Sequence, residues 1–484
     1  MYYTVSDSDH NQTILDSAQI SLVRESFLAG VSSLGGSVAA LIQTIVLAYF
    51  LSVSEVGEFF IYLAVVYLVS QIVKGVGVAV RKRASSVDED KSKYLYSGVL
   101  FSLVVITPII GIGLFSGQYA NKYVQFDVTT VAVVVTAFAT LAKSSSSLFQ
   151  NYLSGVGKPG LSESIRNYII KGGQSVFLFV GLSIQPTVPA ALFSYGVTAI
   201  VGSILYLYFS PKTFIRPTRK TLRELANFSK WSIPNSLLND LYLRIDTLAL
   251  GVFVTSTAAG WYDVSVRVAL LSFILASGFS KTVAVKFSGM YESGLDFTDE
   301  LRWSLRMGTV IIYPVILVMF IHGQEILSLI YDPSYSGAYP YVLGILAYLL
   351  LQTYRVISES VFNAIDSPDS ITGASITAVV INIITVYPLV VQFGGIGVIY
   401  STIFSEVFRT FILGYHLQEY LSDLHTLVYQ PLATLLLLGI HLVLVEPLSL
   451  SPLPLATSTA ILVLVYSLVF GKLLYKDKPN PVAE

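Results

Sequence analysis

Eight of the 29 basic residues in this 484-residue sequence interrupt stretches that are otherwise apolar: Lys74, Lys143, Arg166, Lys171, Arg244, Arg267, Arg355 and Arg409. Ammonium and guanidinium groups in such surroundings suit one kind of chemistry, the donation of charge-assisted hydrogen bonds to phosphate or carboxylate oxygens. Some have carboxylates at helical spacing. Arg355 stands four residues before Glu359, Arg409 three after Glu406 and Arg244 four after Asp240, so each can share a helix face with its partner; Asp246 lies two beyond Arg244. Arg166 follows Glu163 by three. Lys74, Lys143 and Lys171 have no carboxylate at comparable depth in their own stretches. Around Lys143 run Ser144, Ser145, Ser146, Ser147, Gln150 and Asn151, a polar tract that lipid would not tolerate and that predicts a wet cavity beside it. Asp240, Asp246 and Asp263 are candidates for coupling to protons or sodium, or equally for neutralising Arg244 and Arg267.

Other chemistry is poorly provided for. With no cysteine, and with His10, His322, His416, His425 and His441 scattered, the sequence offers no metal-ligand spacing and no thiol nucleophile. Basic and acidic residues nearly cancel, 29 against 30, which argues against a nucleic-acid partner. No phosphate loop of the Walker type occurs. No cofactor is called for. Gly75-Val76-Gly77 and Gly172-Gly173 read as positions of close helix packing, and Pro108, Pro234, Pro314 and Pro388 as kinks.

The elements that hold these groups must be membrane helices. The chain is 54% hydrophobic and 12% charged, with a mean hydropathy of +0.69, more apolar surface than a soluble core can bury. Apolar stretches lie at about 28–51, 56–80, 94–116, 128–153, 161–184 and 188–208, then at 231–253, 258–280, 301–322, 338–363, 371–391 and 395–417, with a further pair at 427–445 and 454–474. The fold class is therefore an all-α polytopic membrane protein of about 14 transmembrane helices. Its expected organisation is a cytoplasmic N-terminal tail (1–23), an N-lobe (24–209), a basic cytoplasmic connector (210–230), a C-lobe (231–417), two additional helices (418–474) and a cytoplasmic tail (475–484). Twenty cations then fall on or near the cytoplasmic connections and Lys122 alone on the outer ones, as the positive-inside rule requires when both termini are cytoplasmic. A charged residue near the bilayer centre costs about 2.5–3.5 kcal/mol even on lenient scales, so the deepest cations should face protein or water.

The two six-span blocks repeat. Phe50 to Phe59 (FLSVSEVGEF) matches Phe253 to Tyr262 (FVTSTAAGWY), and Leu153 to Leu161 (LSGVGKPGL) matches Phe362 to Ser370 (FNAIDSPDS), at nearly equal offsets. A duplicated six-helix unit implies two lobes related by a pseudo-twofold axis along the membrane normal, with a central site.

Leu47 to Ser85, Ser232 to Tyr291 with Arg244-Ile245-Asp246, Gly251 and Gly260-Trp261-Tyr262, and Ile326 through Phe393 to Thr402 together resemble the polysaccharide flippases, the export branch of the multidrug/oligosaccharidyl-lipid/polysaccharide transporter superfamily. That resemblance implies alternating access by two lobes, with a lipid-linked oligosaccharide on a polyprenyl or dolichyl phosphate or diphosphate as substrate. It implies a cationic cavity drawn from Lys143, Lys171, Arg244 and Arg267 first, with Lys74, Arg166, Arg355 and Arg409 behind them. Arg24 joins them because a cation near the start of the first helix is similar to those of the lipid II flippase branch. Glu359 and Glu406, with the three aspartates, serve ion coupling or charge pairing. The implied partners are the lipid-linked glycan, membrane lipids and a downstream glycan transferase or polymerase, in the plasma membrane. Two alternatives stand beside this one. A drug or metabolite exporter of the same fold would prefer carboxylates in the first lobe, and a membrane glycan polymerase or ligase would need a sizeable outer loop with acid, base or metal-binding residues.

Overall fold

The computed structural model describes residues 22–85, 91–211 and 215–418, together with Leu464 and Tyr466; in the first helix, side chains are described from Gly35 onward. The described residues are helical, with no strand among them. Fifteen α-helices follow one another: α1 (Leu22–Phe50), α2 (Val53–Ala84), α3 (Ser92–Ser116), α4 (Thr130–Gly155), α5 (Pro159–Ser164), α6 (Lys171–Ile184), α7 (Val188–Tyr208), α8 (Arg219–Phe253), α9 (Ser256–Ala269), α10 (Ile274–Glu292), α11 (Thr298–Gly308), α12 (Ile312–Ile330), α13 (Tyr339–Ala364), α14 (Pro368–Phe393) and α15 (Ile396–Leu417). A π turn, Ile165–Ile170, joins α5 to α6, and a 3₁₀ turn, Leu270–Phe273, joins α9 to α10.

Each of the twelve expected spans between 28 and 417 coincides with helix. Among the described residues, eight helices are long and apolar enough to cross a membrane, or nine if the bent pair around Leu270–Phe273 is one span. The expected pair at 427–445 and 454–474 lies outside the described residues, apart from Leu464 and Tyr466. Of the other expected spans, the first is described with its side chains only over Gly35–Phe50, an apolar stretch too short by itself to cross, and two fall short for identifiable reasons. Asp240, Arg244 and Asp246 lower the hydropathy of α8, and the π turn divides the stretch that carries Arg166 and Lys171. Both stretches carry ionisable side chains that lipid alone would not accept.

Local signals set the ends. Ser52 caps α2 in a reciprocal box with Glu55, whose carboxylate accepts from the Ser52 backbone N–H at 2.8 Å. Thr218 and Thr221 cap α8 in the same way, so the second half of the basic connector is already helical. Pro108, Pro234 and Pro388 lie within helices. Pro314 instead falls in the first turn of α12, where the missing N–H costs nothing.

Packing divides the chain into two compact units, Val38–Val264 and the remainder. In Val38–Val264, α2 is the central helix. It packs along α4 and α8, and α4 packs on α7. A buried cluster of Val73, Val76, Val80, Tyr94, Leu148, Tyr152 and Leu225 knits these helices together. Backbones come closest where glycine permits. Ser232 on α8 donates to the Gly75 carbonyl at 2.7 Å, and a Cβ at Gly75 would lie 2.6 Å from the Ile233 Cα. Gly57 and Gly260, equivalent positions of the internal repeat, face each other: a Cβ on the first would meet the Ser256 carbonyl and the Gly260 N, and one on the second the Val53 carbonyl. Gly172, by contrast, has open space around it and Gly173 only an ordinary contact with Thr198, so this pair does not serve close packing.

In the second unit, α10, α11, α13 and α15 surround a core that includes Phe279, Phe287, Trp303, Ile357, Phe362 and Leu413. Helix α15 packs along α14 and α13.

Candidate functional site: a cation cluster around Tyr67

Within Val38–Val264, cations from two helices lie beside one aromatic ring. Tyr67 lies on α2. The Arg244 guanidinium carbon, from α8, is 4.3 Å from the centre of its ring, and the Lys143 ammonium, from α4, is 5.3 Å from it. The Tyr195 ring of α7 stands 6.1 Å away at an angle of 66°. Cations within about 6 Å of a tyrosine face are attracted by the negative charge of its π cloud.

Further cations extend the cluster. Lys74 follows Tyr67 by seven residues, two turns along the same face of α2. It lies within Coulombic range of Lys143, Arg166 and Asp240. Lys171 is within range of Arg166, Lys143, Tyr67 and Glu163. The π turn explains how Arg166 and Lys171 come together: the Lys171 backbone N–H donates to the Arg166 carbonyl, five residues back, where α winding would bond four back. Gln43 of α1 ties this corner down, donating to the Lys171 carbonyl at 3.0 Å and to the Gln174 side-chain oxygen at 3.2 Å. Among the described residues, these five cations, with Arg81 also within range of Lys74, lie near two carboxylates. Glu163 is ion-paired to Arg166, and Asp240 lies within range of Arg244, Lys74 and Lys143. Among the described residues, the buried Arg244 Nε and Asp240 Oδ2 have no hydrogen-bond partner.

Five of the expected cavity residues, Lys74, Lys143, Arg166, Lys171 and Arg244, therefore share one region. Arg267 belongs to the other compact unit. The side chain of Arg24 lies outside the described residues. Asp246 and Asp263 are buried and satisfied: Tyr262 donates to Asp246 at 2.7 Å and Thr247 to Asp263 at 3.0 Å. In the serine tract Ser144, Ser146, Ser147 and Asn151 are buried, Asn151 packing against Gly77, whereas Lys143, Ser145 and Gln150 are half-buried.

Arg355 and Arg409 sit in the second unit in a closed network. Arg355 pairs with Glu359 at 3.0 Å, one turn along α13, and with the fully buried Glu406 of α15. Arg409 reaches Glu359 at 2.9 Å and the Ser375 hydroxyl at 2.7 Å. Spacing alone pairs Arg409 with Glu406; the structure places it on the carboxylate of the neighbouring helix. Two cations against two carboxylates leave little charge to offer a ligand.

Sequence reasoning missed Tyr67, Tyr195, Gln43 and Gln174. The seven-residue step from Tyr67 to Lys74 was a usable signal, whereas Tyr195 and the glutamines reach the cluster only through packing of separate helices.

Residues 22–285 match the model of a family described as "Polysaccharide biosynthesis protein". The "Probable low-salt glycan biosynthesis flippase Agl15" of Haloferax volcanii is 25% identical over 379 residues, 77% of this chain and 78% of the relative. The "Probable flippase AglR" of the same organism is 28% identical over 223 residues, 44% of this chain and 46% of the relative. Among solved structures, "Lipid II flippase MurJ, inward closed conformation" superposes with a TM-score of 0.75 at 14% identity, covering 93% of this chain and 99% of that one. An inward-facing multidrug resistance MATE family transporter of the MOP superfamily gives 0.60 at 11% identity, covering 80% and 95%. These structures bear on the fold alone.

Proposed function

The chain belongs to the polysaccharide biosynthesis protein family, and from that premise we propose that it is a flippase, a transporter rather than an enzyme, which moves a lipid-linked oligosaccharide from the cytoplasmic to the outer leaflet. The observation that carries this is the excess of cations around Tyr67, five against two carboxylates among the described residues. An unpaired phosphate head group pays tens of kcal/mol, in the Born limit, to enter hydrocarbon. A protein cavity with fixed ammonium and guanidinium groups substitutes for the lost water, while the lipid chain stays in the bilayer. The cluster's sign also separates this function from export of organic cations by the same fold, which needs a carboxylate excess.

The mechanism proposed is alternating access by two six-helix lobes, 24–209 and 231–417, with both termini cytoplasmic and the oligosaccharide joined to a polyprenyl or dolichyl phosphate or diphosphate. In this scheme Lys143, Lys171 and Arg244 hold the phosphate, Lys74 and Arg166 widen the field, and consumption of the product by a downstream glycan transferase or polymerase gives net direction. Deletion of the chain from its host tests the proposal. Lipid-linked glycan should accumulate on the cytoplasmic face, and Lys143→Ala, Lys171→Ala and Arg244→Ala should each restore outer-leaflet glycan at least tenfold less well than the parent. Normal outer-leaflet glycan in the deletion strain would overturn it.

A further inference from the structure

Two like charges held against one side chain repel each other, and one carboxylate, Asp240, lies within range of both. Lys143 and Arg244 stand on different helices, α4 and α8, and Tyr67 on the helix between them. Their heads lie 5.3 Å and 4.3 Å from the centre of the same ring. Among the described residues the buried Arg244 Nε has no hydrogen-bond partner. Tyr67 is itself held: the Tyr195 ring, 3% exposed, stands beside it at 66°.

We propose that Tyr67 is a positioning residue that holds Lys143 and Arg244 at one ring by presenting its π system to both, so that an incoming phosphate or diphosphate meets cations already gathered. This rests on the head-group role proposed above for the two cations and adds to it a specific demand: the electrons of the ring, rather than its bulk or its hydroxyl, set the affinity. The phosphate oxygens then take over the charge balance, and the π face is needed for assembly and not for passage. Preorganisation of this kind raises affinity by removing a cost otherwise met on binding. Loss of the ring should weaken substrate capture about tenfold, about 1.4 kcal/mol, and leave the maximal transport rate nearly unchanged.

The test uses the full-length protein in detergent, with farnesyl diphosphate and farnesyl phosphate as soluble probes, and the same protein in phosphatidylcholine vesicles with a fluorescent farnesyl diphosphate for transport. Tyr67→Leu should raise the dissociation constant about tenfold, and Tyr67→Phe and Tyr67→Trp should stay within about threefold of the parent. A series of increasingly fluorinated phenylalanines at position 67 preserves ring size while draining negative charge from its face, so affinity should fall stepwise along the series, a trend a packing role would not produce. The fluorinated series decides the matter even if the leucine variant fails to fold. Equal binding across the series, or a loss in Tyr67→Phe as large as in Tyr67→Leu, overturns the proposal. If the parent protein fails to bind either probe, or if Arg244→Ala and Lys143→Ala bind as the parent does, the head-group site itself is refuted instead.

Discussion

Adding one methyl group at Gly57 should pry apart the start of α2 and the start of α9. An ideal Cβ there would lie 1.7 Å from the Ser256 carbonyl oxygen and 2.7 Å from the Gly260 N. Real Cβ contacts essentially never fall below 3.0 Å, so the two segments must separate by at least about 1.3 Å. The Ser54 and Ser256 hydroxyls, 2.6 Å apart, would then lose their hydrogen bond, worth about 1 kcal/mol net. Overpacking adds about 1–3 kcal/mol, for a total of about 2–4 kcal/mol against the packed arrangement, or roughly 30- to 1,000-fold in its population. Gly260→Ala should do less, because its Cβ would stand 2.3 Å from the Val53 carbonyl and require only about half the displacement. The sequence contains no cysteine, so a single reporter needs no background substitutions. Ser256→Cys, a near-isostere at a position 3% exposed, should resist a water-soluble maleimide in the parent, react in the Gly57→Ala background, and react more slowly with Gly260→Ala. Unchanged labelling in Gly57→Ala, or a reversed order of the two glycine variants, would refute the reasoning.

Two further outcomes follow from the charge arrangements. Glu406→Gln should destabilise the second unit by about 3 kcal/mol, the low end for a broken buried pair because Glu359 still faces Arg355; thermal unfolding of the full-length protein in detergent should register it, and an unchanged midpoint would show that the network holds no charge. Asp240→Asn removes one of two carboxylates near the cation cluster, so farnesyl diphosphate should bind about threefold more tightly with a steeper salt dependence. Weaker binding would mean that Asp240 instead holds the cations in place.

Much of the fold was legible because lipid permits so few structures. Apolar runs bounded by charge could only be helices, and the span limits from 28 to 417 coincide with helices whose caps, such as Ser52 with Glu55, are written locally. Five of the expected cavity cations also share one region near Tyr67; Lys74, Lys143 and Lys171 among them have no carboxylate at comparable depth in their own stretches. What could not be read was pairing across helices. Arg409 reaches Glu359 rather than standing only on its own helix face, and Asp246 finds the hydroxyl of Tyr262. Breaks inside apolar runs were equally hidden: nothing in Leu270–Phe273 announces a 3₁₀ turn, because hydropathy reports the medium and not the winding.

The π turn at Ile165–Ile170 bears on how this protein should be compared with others. Such a turn is an ordinary helix carrying one surplus residue, and it brings positions five apart nearly onto a common face. A relative lacking that residue would keep both helix ends in place while presenting its lysine one number earlier. Alignments that forbid a gap here would set Lys171 against the wrong neighbour, and a variant deleting Asn167 is the direct way to learn which side of the insertion the ammonium group obeys.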